Sequence, residues 1–129
     1  HVDKVHIITL NTSKNTFNLD FIDKFNQALN IIEKSKDQTS ILLRSSNPKV
    51  FSYGLDLKFV LNKDPNIRDS MIKQYIKLIS RLLILGIPTV CAIDGYGLAG
   101  GIFLSCAFDF RFIGSNAKIA LPEIDLQLP

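Results

Sequence analysis

Several chemical ingredients are scarce in this 129-residue chain, and each shortage removes a class of function. Only two histidines are present: His1 is terminal, and His6 sits inside a β-rich run, where it reads as structural. No metal-ligand spacing and no Ser-His-Asp or Cys-His set is legible, so neither a metal centre nor a triad hydrolase is expected. Cysteine is limited to Cys91 and Cys106, both in apolar stretches, which reads as reduced core thiols instead of a disulfide or metal pair. Runs of like charge are missing too. The 15 basic and 12 acidic residues leave a dispersed formal charge of +3, which gives no support to nucleic-acid binding. No basic-then-apolar leader follows His1-Val2-Asp3-Lys4, so no targeting peptide is expected in these residues, and both ends read as ends of a fragment. Low-complexity tracts, exact repeats and linkers are not found, and residues 1–129 are expected to form one domain.

What is abundant is apolar material. A hydrophobic content of 47% against 21% charge suffices for a packed core. The stretch from Leu82 to Phe108 carries Asp94 as its only charge, yet Gly86, Pro88, Gly95, Gly97, Gly100 and Gly101 interrupt it. A central aspartate also costs about 2.5 to 3.5 kcal/mol on membrane insertion, so no membrane span is expected.

Val5–Leu10, Ile41–Arg44 and Thr89–Ile93 are β-rich runs that predict strands, the last buried on both faces. Leu19, Ile22, Phe25, Leu29 and Ile32 recur at helical spacing after an Asn18 cap, predicting a helix over Leu19 to Lys36. A second helix starts at Asp64-Pro65, with Met71, Ile72, Tyr75, Ile76, Ile79, Leu82 and Leu83 as its apolar stripe, and ends before Gly86 and Pro88. A short third helix from Gly100 to about Ala107 and a strand near Phe110–Ile113 complete an α/β alternation.

Two glycine-bearing segments stand out. In Phe51-Ser52-Tyr53-Gly54-Leu55-Asp56-Leu57 a strand runs into a turn at Gly54, and in Gly95-Tyr96-Gly97-Leu98-Ala99-Gly100-Gly101 a buried strand runs through a glycine loop into a helix. Glycine lets backbone approach a ligand closely, and the first amides of a helix are unpaired and partly positive, so both segments suit a developing oxyanion. Asp56 is expected to cap or pair locally, and Asp109 to end the third helix. Gly95, Gly97 and Gly100 also fit G-x-G-x-x-G. A dinucleotide site needs a full helix, a second strand and an acid at that strand's end about 20 residues on. Only about eight residues separate Gly100 from Asp109, which precedes the next strand, so that reading is set aside.

Taken in order, these segments resemble the crotonase superfamily, the enoyl-CoA hydratase/isomerase family. The resemblance is carried by Ile7-Ile8-Thr9-Leu10-Asn11, Val50 through Lys58, Gly95 through Gly101 and Pro122-Glu123-Ile124-Asp125-Leu126. It implies a spiral of β-β-α units, with the helical C-terminal region outside these residues. It also implies an acyl-CoA thioester substrate, no separate cofactor, trimers or pairs of trimers, and a peroxisomal or mitochondrial setting. By the same resemblance the N–H groups of Leu55 and Gly100 form an oxyanion hole. Ser52, Tyr53, Gly54, Asp56, Leu57, Gly97 and Phe103 would line the substrate site, and Lys49 and Lys58 would fall near CoA phosphates.

Hydratases of this family use two glutamates. One follows the second oxyanion glycine by three residues, where this chain has Phe103; the other belongs to the Pro-Glu motif and is kept as Glu123. A single carboxylate suits a proton shuttle from C2 to C4, so the resemblance points to a Δ3,Δ2-enoyl-CoA isomerase with Glu123 as base. Hydration, another crotonase reaction, or a non-catalytic CoA-binding paralogue remain alternatives. Gln127 departs from the motif, since a glycine is usual there.

Overall fold

The computed structural model describes residues 4–35, 39–62, 64–123 and 125. Along the chain run β1 (Val5–Leu10), β2 (Thr16–Phe17), α1 (Leu19–Glu33), β3 (Ser40–Ser45), β4 (Val50–Ser52), β5 (Gly54–Leu55), α2 (Leu57–Val60) and α3 (Pro65–Leu83). They are followed by β6 (Thr89–Ile93), β7 (Tyr96–Leu98), α4 (Gly100–Cys106), β8 (Phe110–Ile113) and β9 (Lys118–Ala120).

The helices begin where their capping chemistry dictates. The Asn18 side chain accepts the Phe21 N–H at the start of α1, and Asp64 accepts the Asn66 N–H ahead of Pro65 at the start of α3. The stripe Ile22, Phe25, Leu29 and Ile32 turns α1 to the core. On α3 the buried positions are Met71, Tyr75, Leu78 and Leu82. Ile76 and Leu83, expected in that stripe, are 55% and 64% exposed, because true helical spacing from Met71 and Tyr75 selects Leu78 in their stead.

Every strand pairing among the described residues is parallel. β1, β3, β6 and β8 form one sheet in that order, β2 pairs with β5, and β4, β7 and β9 form a third sheet. Consecutive β-β-α turns therefore stack their first strands in one sheet, and the second strands β4, β7 and β9 in another, while β2 pairs with β5 apart from it. The interior holds Phe17, Leu29, Ile41, Leu43, Phe51, Met71 and Leu104, each at most 1% exposed. Burying a large apolar side chain of this kind is worth about 1.5 to 3 kcal/mol.

Three expectations need correction. β6 alternates, with Thr89, Cys91 and Ile93 buried and Val90 and Ala92 half-buried, because only one of its faces meets the core. Cys106 ends α4 exposed, so only Cys91 is a core thiol; both are free. The glycine segment Gly95–Gly101 is not a plain loop, since β7 lies inside it and pairs with β4 and β9. The short β2, β5 and α2 and the exposed β9 carry too few residues to show a periodicity. The end of the first predicted helix at Lys36, and Ile124, Leu126 and Gln127, lie outside the described residues. No helix among the described residues is long and apolar enough to cross a membrane.

Candidate active site

The first glycine-bearing turn is built around a buried asparagine. Asn15, 2% exposed and left-handed at φ 47°, donates from its side-chain amide to the Ser45 hydroxyl and the Phe51 carbonyl, each at 2.9 Å. Its side-chain oxygen accepts the Thr12 N–H at 2.8 Å, closing the preceding turn. The Asn15 carbonyl accepts the Ser52 hydroxyl, which in turn accepts the Gly54 N–H at 2.9 Å. Ser52 is fully buried, so its hydroxyl builds the turn instead of reaching a ligand. One step on, Asp56 N–H donates to the Phe17 carbonyl at 2.8 Å. Successive amides of an extended chain point to opposite sides, so the Leu55 N–H faces away from β2. The Asp56 carboxylate accepts the Lys58 N–H at 3.0 Å and starts α2, the local capping role expected of it.

The second turn is stitched onto the first. Tyr96 N–H donates to the Lys49 carbonyl at 2.9 Å, and the β4–β7 ladder sets Ser52 opposite Gly97. A Cβ on Gly95 would lie 2.1 Å from the Lys49 carbonyl carbon, so no other residue fits beneath that strand. Beyond β7 the chain passes Ala99 at φ 50° and ψ −127°, a conformation that ordinarily requires glycine, and enters α4 without a side-chain cap. Gly100, the first residue of α4, thus presents an N–H with no intrahelical partner.

The two turns meet at this corner. A Cβ added to Gly54 would sit 2.6 Å from the Gly100 nitrogen, and one added to Gly100 would sit 3.2 Å from the Leu55 nitrogen. Leu55 and Gly100, far apart in sequence, therefore bring two backbone donors to one place. Ala99 N–H donates to the Ala120 carbonyl at 3.0 Å, which ties the end of β9, and the Pro122-Glu123 turn after it, to the same corner. Glu123 is half-buried, and its Oε2 is buried with no hydrogen-bond partner among the described residues. A carboxylate oxygen left orphaned inside a protein is costly unless something it binds or deprotonates belongs there.

Tyr75 of α3 donates its hydroxyl to the Gly100 carbonyl at 2.5 Å. Burial holds that hydroxyl above its ordinary pKa, a backbone bond to Leu104 works the other way, and the nearby charges of Cys106 and Glu123 add to the rise.

Of the residues expected here, the structure brings Gly54, Leu55, Ser52, Gly97 and Gly100 together and carries Glu123 alongside through Ala120. Tyr53 is half-buried with its ring 6.3 Å from that of Tyr96. Leu57 and Phe103 are 51% and 50% exposed, Phe103 on α4 one turn beyond the corner, and Lys49 and Lys58 lie on the surface. Asp109, expected to end α4, does more: its carboxylate accepts the N–H and hydroxyl of Thr89, each at 2.8 Å, and fastens α4 to the start of β6. Asn15, Ala99 and Tyr75 were not legible as site residues. Asn15 sits in a polar turn of ordinary composition, Ala99 reads as a neutral small residue, and Tyr75 passes for one more member of an apolar stripe.

A parallel spiral of β-β-α turns, with two backbone N–H groups close together beyond its second strands, is a crotonase-type fold. A family profile described as Enoyl-CoA hydratase/isomerase matches residues 2–128, and the chain belongs to that family. It is 31% identical over 116 residues to the probable mitochondrial enoyl-CoA hydratase 2 of Arabidopsis thaliana, covering 90% of this chain and 38% of that protein. It is 29% identical over 111 residues to the mitochondrial enoyl-CoA delta isomerase 1 of Rattus norvegicus, covering 86% of this chain and 38% of that protein. The solved enoyl-CoA hydratase of Geobacillus kaustophilus superposes with a TM-score of 0.91 at 27% identity, over 98% of this chain and 48% of that one. The chain thus spans well under two thirds of the length of the relatives it matches.

Proposed function

We propose that the complete protein is a Δ3,Δ2-enoyl-CoA isomerase of fatty-acid oxidation, with Glu123 as its proton shuttle. The observation that carries this reading is the buried Oε2 of Glu123, which has no hydrogen-bond partner among the described residues and sits on the turn after Ala120, whose carbonyl is tied to Ala99 at the Leu55–Gly100 corner, with Phe103 on α4 where a second acid would serve hydration. The thioester oxygen would accept from both amides. Glu123 would remove a C2 proton, the resulting dienolate would hold its negative charge on that oxygen, and the same carboxyl would return the proton at C4. One base suffices because the proton leaves and arrives on the same extended π-system. Preorganised backbone donors stabilise such a charge without reorganising, and losing one typically costs about 2.7 to 4 kcal/mol. The reaction is redox-neutral, and the proposal includes no cofactor beyond the CoA of the substrate. A mitochondrial setting and assembly into trimers belong to the same proposal; the mitochondrial names of the relatives support the first.

Incubation of the complete protein with a 3-enoyl-CoA should yield the 2-trans-enoyl-CoA, and Glu123→Gln should abolish that conversion. An active Glu123→Gln protein would remove the assigned role. Hydration is the second reading, favoured by the relatives named as hydratases. It would be marked by water addition to a 2-enoyl-CoA despite Phe103.

A further inference from the structure

We propose that Ala99 is a positioning residue of this corner: its glycine-like backbone angles aim the Gly100 N–H, and the Ala120 carbonyl is the contact from outside α4 that holds Ala99 in them. The inference rests on the acyl-thioester reading above, though not on which reaction follows.

The Gly100 N–H belongs to the Ala99–Gly100 peptide, so its direction about the Ala99 Cα–C bond is set by the ψ of Ala99. That angle is −127°, with φ at 50°. An alanine in ordinary helical or extended conformation has ψ of about −42° or about +135°, which would turn the peptide by roughly 85° to 100°. In a trans peptide the N–H points opposite to the carbonyl. The Ala99 carbonyl accepts the Ile102 N–H at 2.9 Å and the Phe103 N–H at 3.3 Å, along α4, so the Gly100 N–H points out of the helix start. Gly54 comes close to the same nitrogen, since a Cβ there would lie 2.6 Å from it.

Angles of this kind suit glycine, and an L-alanine keeps them only when its surroundings over-determine them. Hydrogen bonds on both sides of Ala99 do so. The peptide after it is held by Ile102 and Phe103, within α4. The peptide before it is held from outside α4, where the Ala99 N–H donates to the Ala120 carbonyl at 3.0 Å, next to the Leu98–Ala120 pair that ends the β7–β9 ladder. Its methyl is confined as well, because a Cβ on Gly54 would lie 3.0 Å from the Ala99 Cβ. Ala99 is thus a strained pivot between β7 and α4. The strand end that holds it also leads into the Pro122-Glu123 turn, so one bond sets the donor and anchors the base.

The test uses the complete protein and 4-dimethylaminocinnamoyl-CoA, whose absorption moves to longer wavelength when hydrogen bonds polarise its thioester carbonyl. Ala99→Gly is expected to raise the melting temperature by a few degrees and keep the red shift, because glycine adopts these angles freely. Ala99→lactate, a backbone ester, keeps the methyl and the carbonyl and removes the N–H that Ala120 holds. It is expected to reduce the red shift by about half and to lower kcat by about tenfold with KM little changed. Ala99→glycolate removes the N–H and the strain together and should keep the red shift. The control is Ala117→lactate, which breaks the Ala117 N–H bond to the Gly114 carbonyl in another turn and should also keep it. A lower melting temperature in Ala99→Gly, a full red shift in Ala99→lactate, or an equal loss in Ala99→glycolate or Ala117→lactate would overturn the positioning role. Should the Ala99→lactate protein not fold, the melting temperature of Ala99→Gly decides by its sign. Failure of the isomerase reading looks different: a full red shift in the unaltered protein with no 2-enoyl product leaves the role of Ala99 intact. A missing red shift in the unaltered protein would overturn the acyl-thioester corner and the role of Ala99 together.

Discussion

The Ser52 hydroxyl donates to the Asn15 carbonyl at 2.7 Å while accepting the Gly54 N–H, so a residue near the start of the chain sets the turn that carries Leu55. Neither side chain is free for a ligand. Their work is to hold a backbone, which is what a site made of backbone donors requires.

Removing that latch should destabilise the protein in a graded way. Asn15→Ala strips bonds from Ser45, Phe51 and Thr12 at a buried site and is expected to cost about 2 to 3 kcal/mol. Ser52→Ala leaves the Gly54 N–H unsatisfied and should cost about 1 to 2 kcal/mol. Urea unfolding followed by circular dichroism measures both; equal stability of Asn15→Ala and the parent would refute the latch.

Two glycines with similar backbone angles separate strain from collision. Gly54 and Gly86 have φ of 84° and 72°, but a Cβ on Gly86 would meet nothing within 4 Å, whereas one on Gly54 would press on the Gly100 nitrogen. Gly86→Ala is expected to cost about 1 kcal/mol of stability and leave turnover unchanged. Gly54→Ala is expected to lower turnover of the complete protein by about a hundredfold, because it displaces one donor from the other. Comparable kinetics for the two variants would show that the Leu55–Gly100 corner is not where charge develops.

The two thiols should differ sharply in reactivity. Burial pushes the Cys91 thiol up to about 12, with Arg111 opposing and Cys106 adding, while Cys106 is exposed. Thiolate is the reactive form, so a thiol reagent near pH 8 should label one cysteine in the folded 129-residue chain and both in urea. The raised pKa also has a sign for stability: the folded state holds the Cys91 proton more tightly than the unfolded chain does. That contribution is complete below about pH 9 and is lost as pH rises toward about 12. Alkaline urea titrations should therefore show falling stability across that window, and a Cys91→Ala variant a shallower fall.

The regular elements were legible because their physics is local. Asn18 and Asp64 mark helix starts by the amides they accept, and Val5–Leu10 and Thr89–Ile93 are β-rich enough to predict strands that form at those residues. The ordered glycine segments and Pro122-Glu123 sufficed for the family, since glycine at a close backbone approach is itself a sequence signal. Short strands such as β5 and β7 were hidden, because two or three residues cannot display a period.

What the residue order determined alone, then, was the alternation of elements, the core stripes of α1 and most of α3, and the pair of glycine turns. What only the tertiary structure decided was their convergence. The distance between the Leu55 and Gly100 amides depends on the parallel β4–β7 register and on the Asn15 latch, both of which join residues remote in the chain. The same packing exposes Cys106 and buries one oxygen of Glu123 without a hydrogen-bond partner among the described residues. Local propensity carries no information about such contacts, because each is fixed by which surfaces meet once the spiral closes.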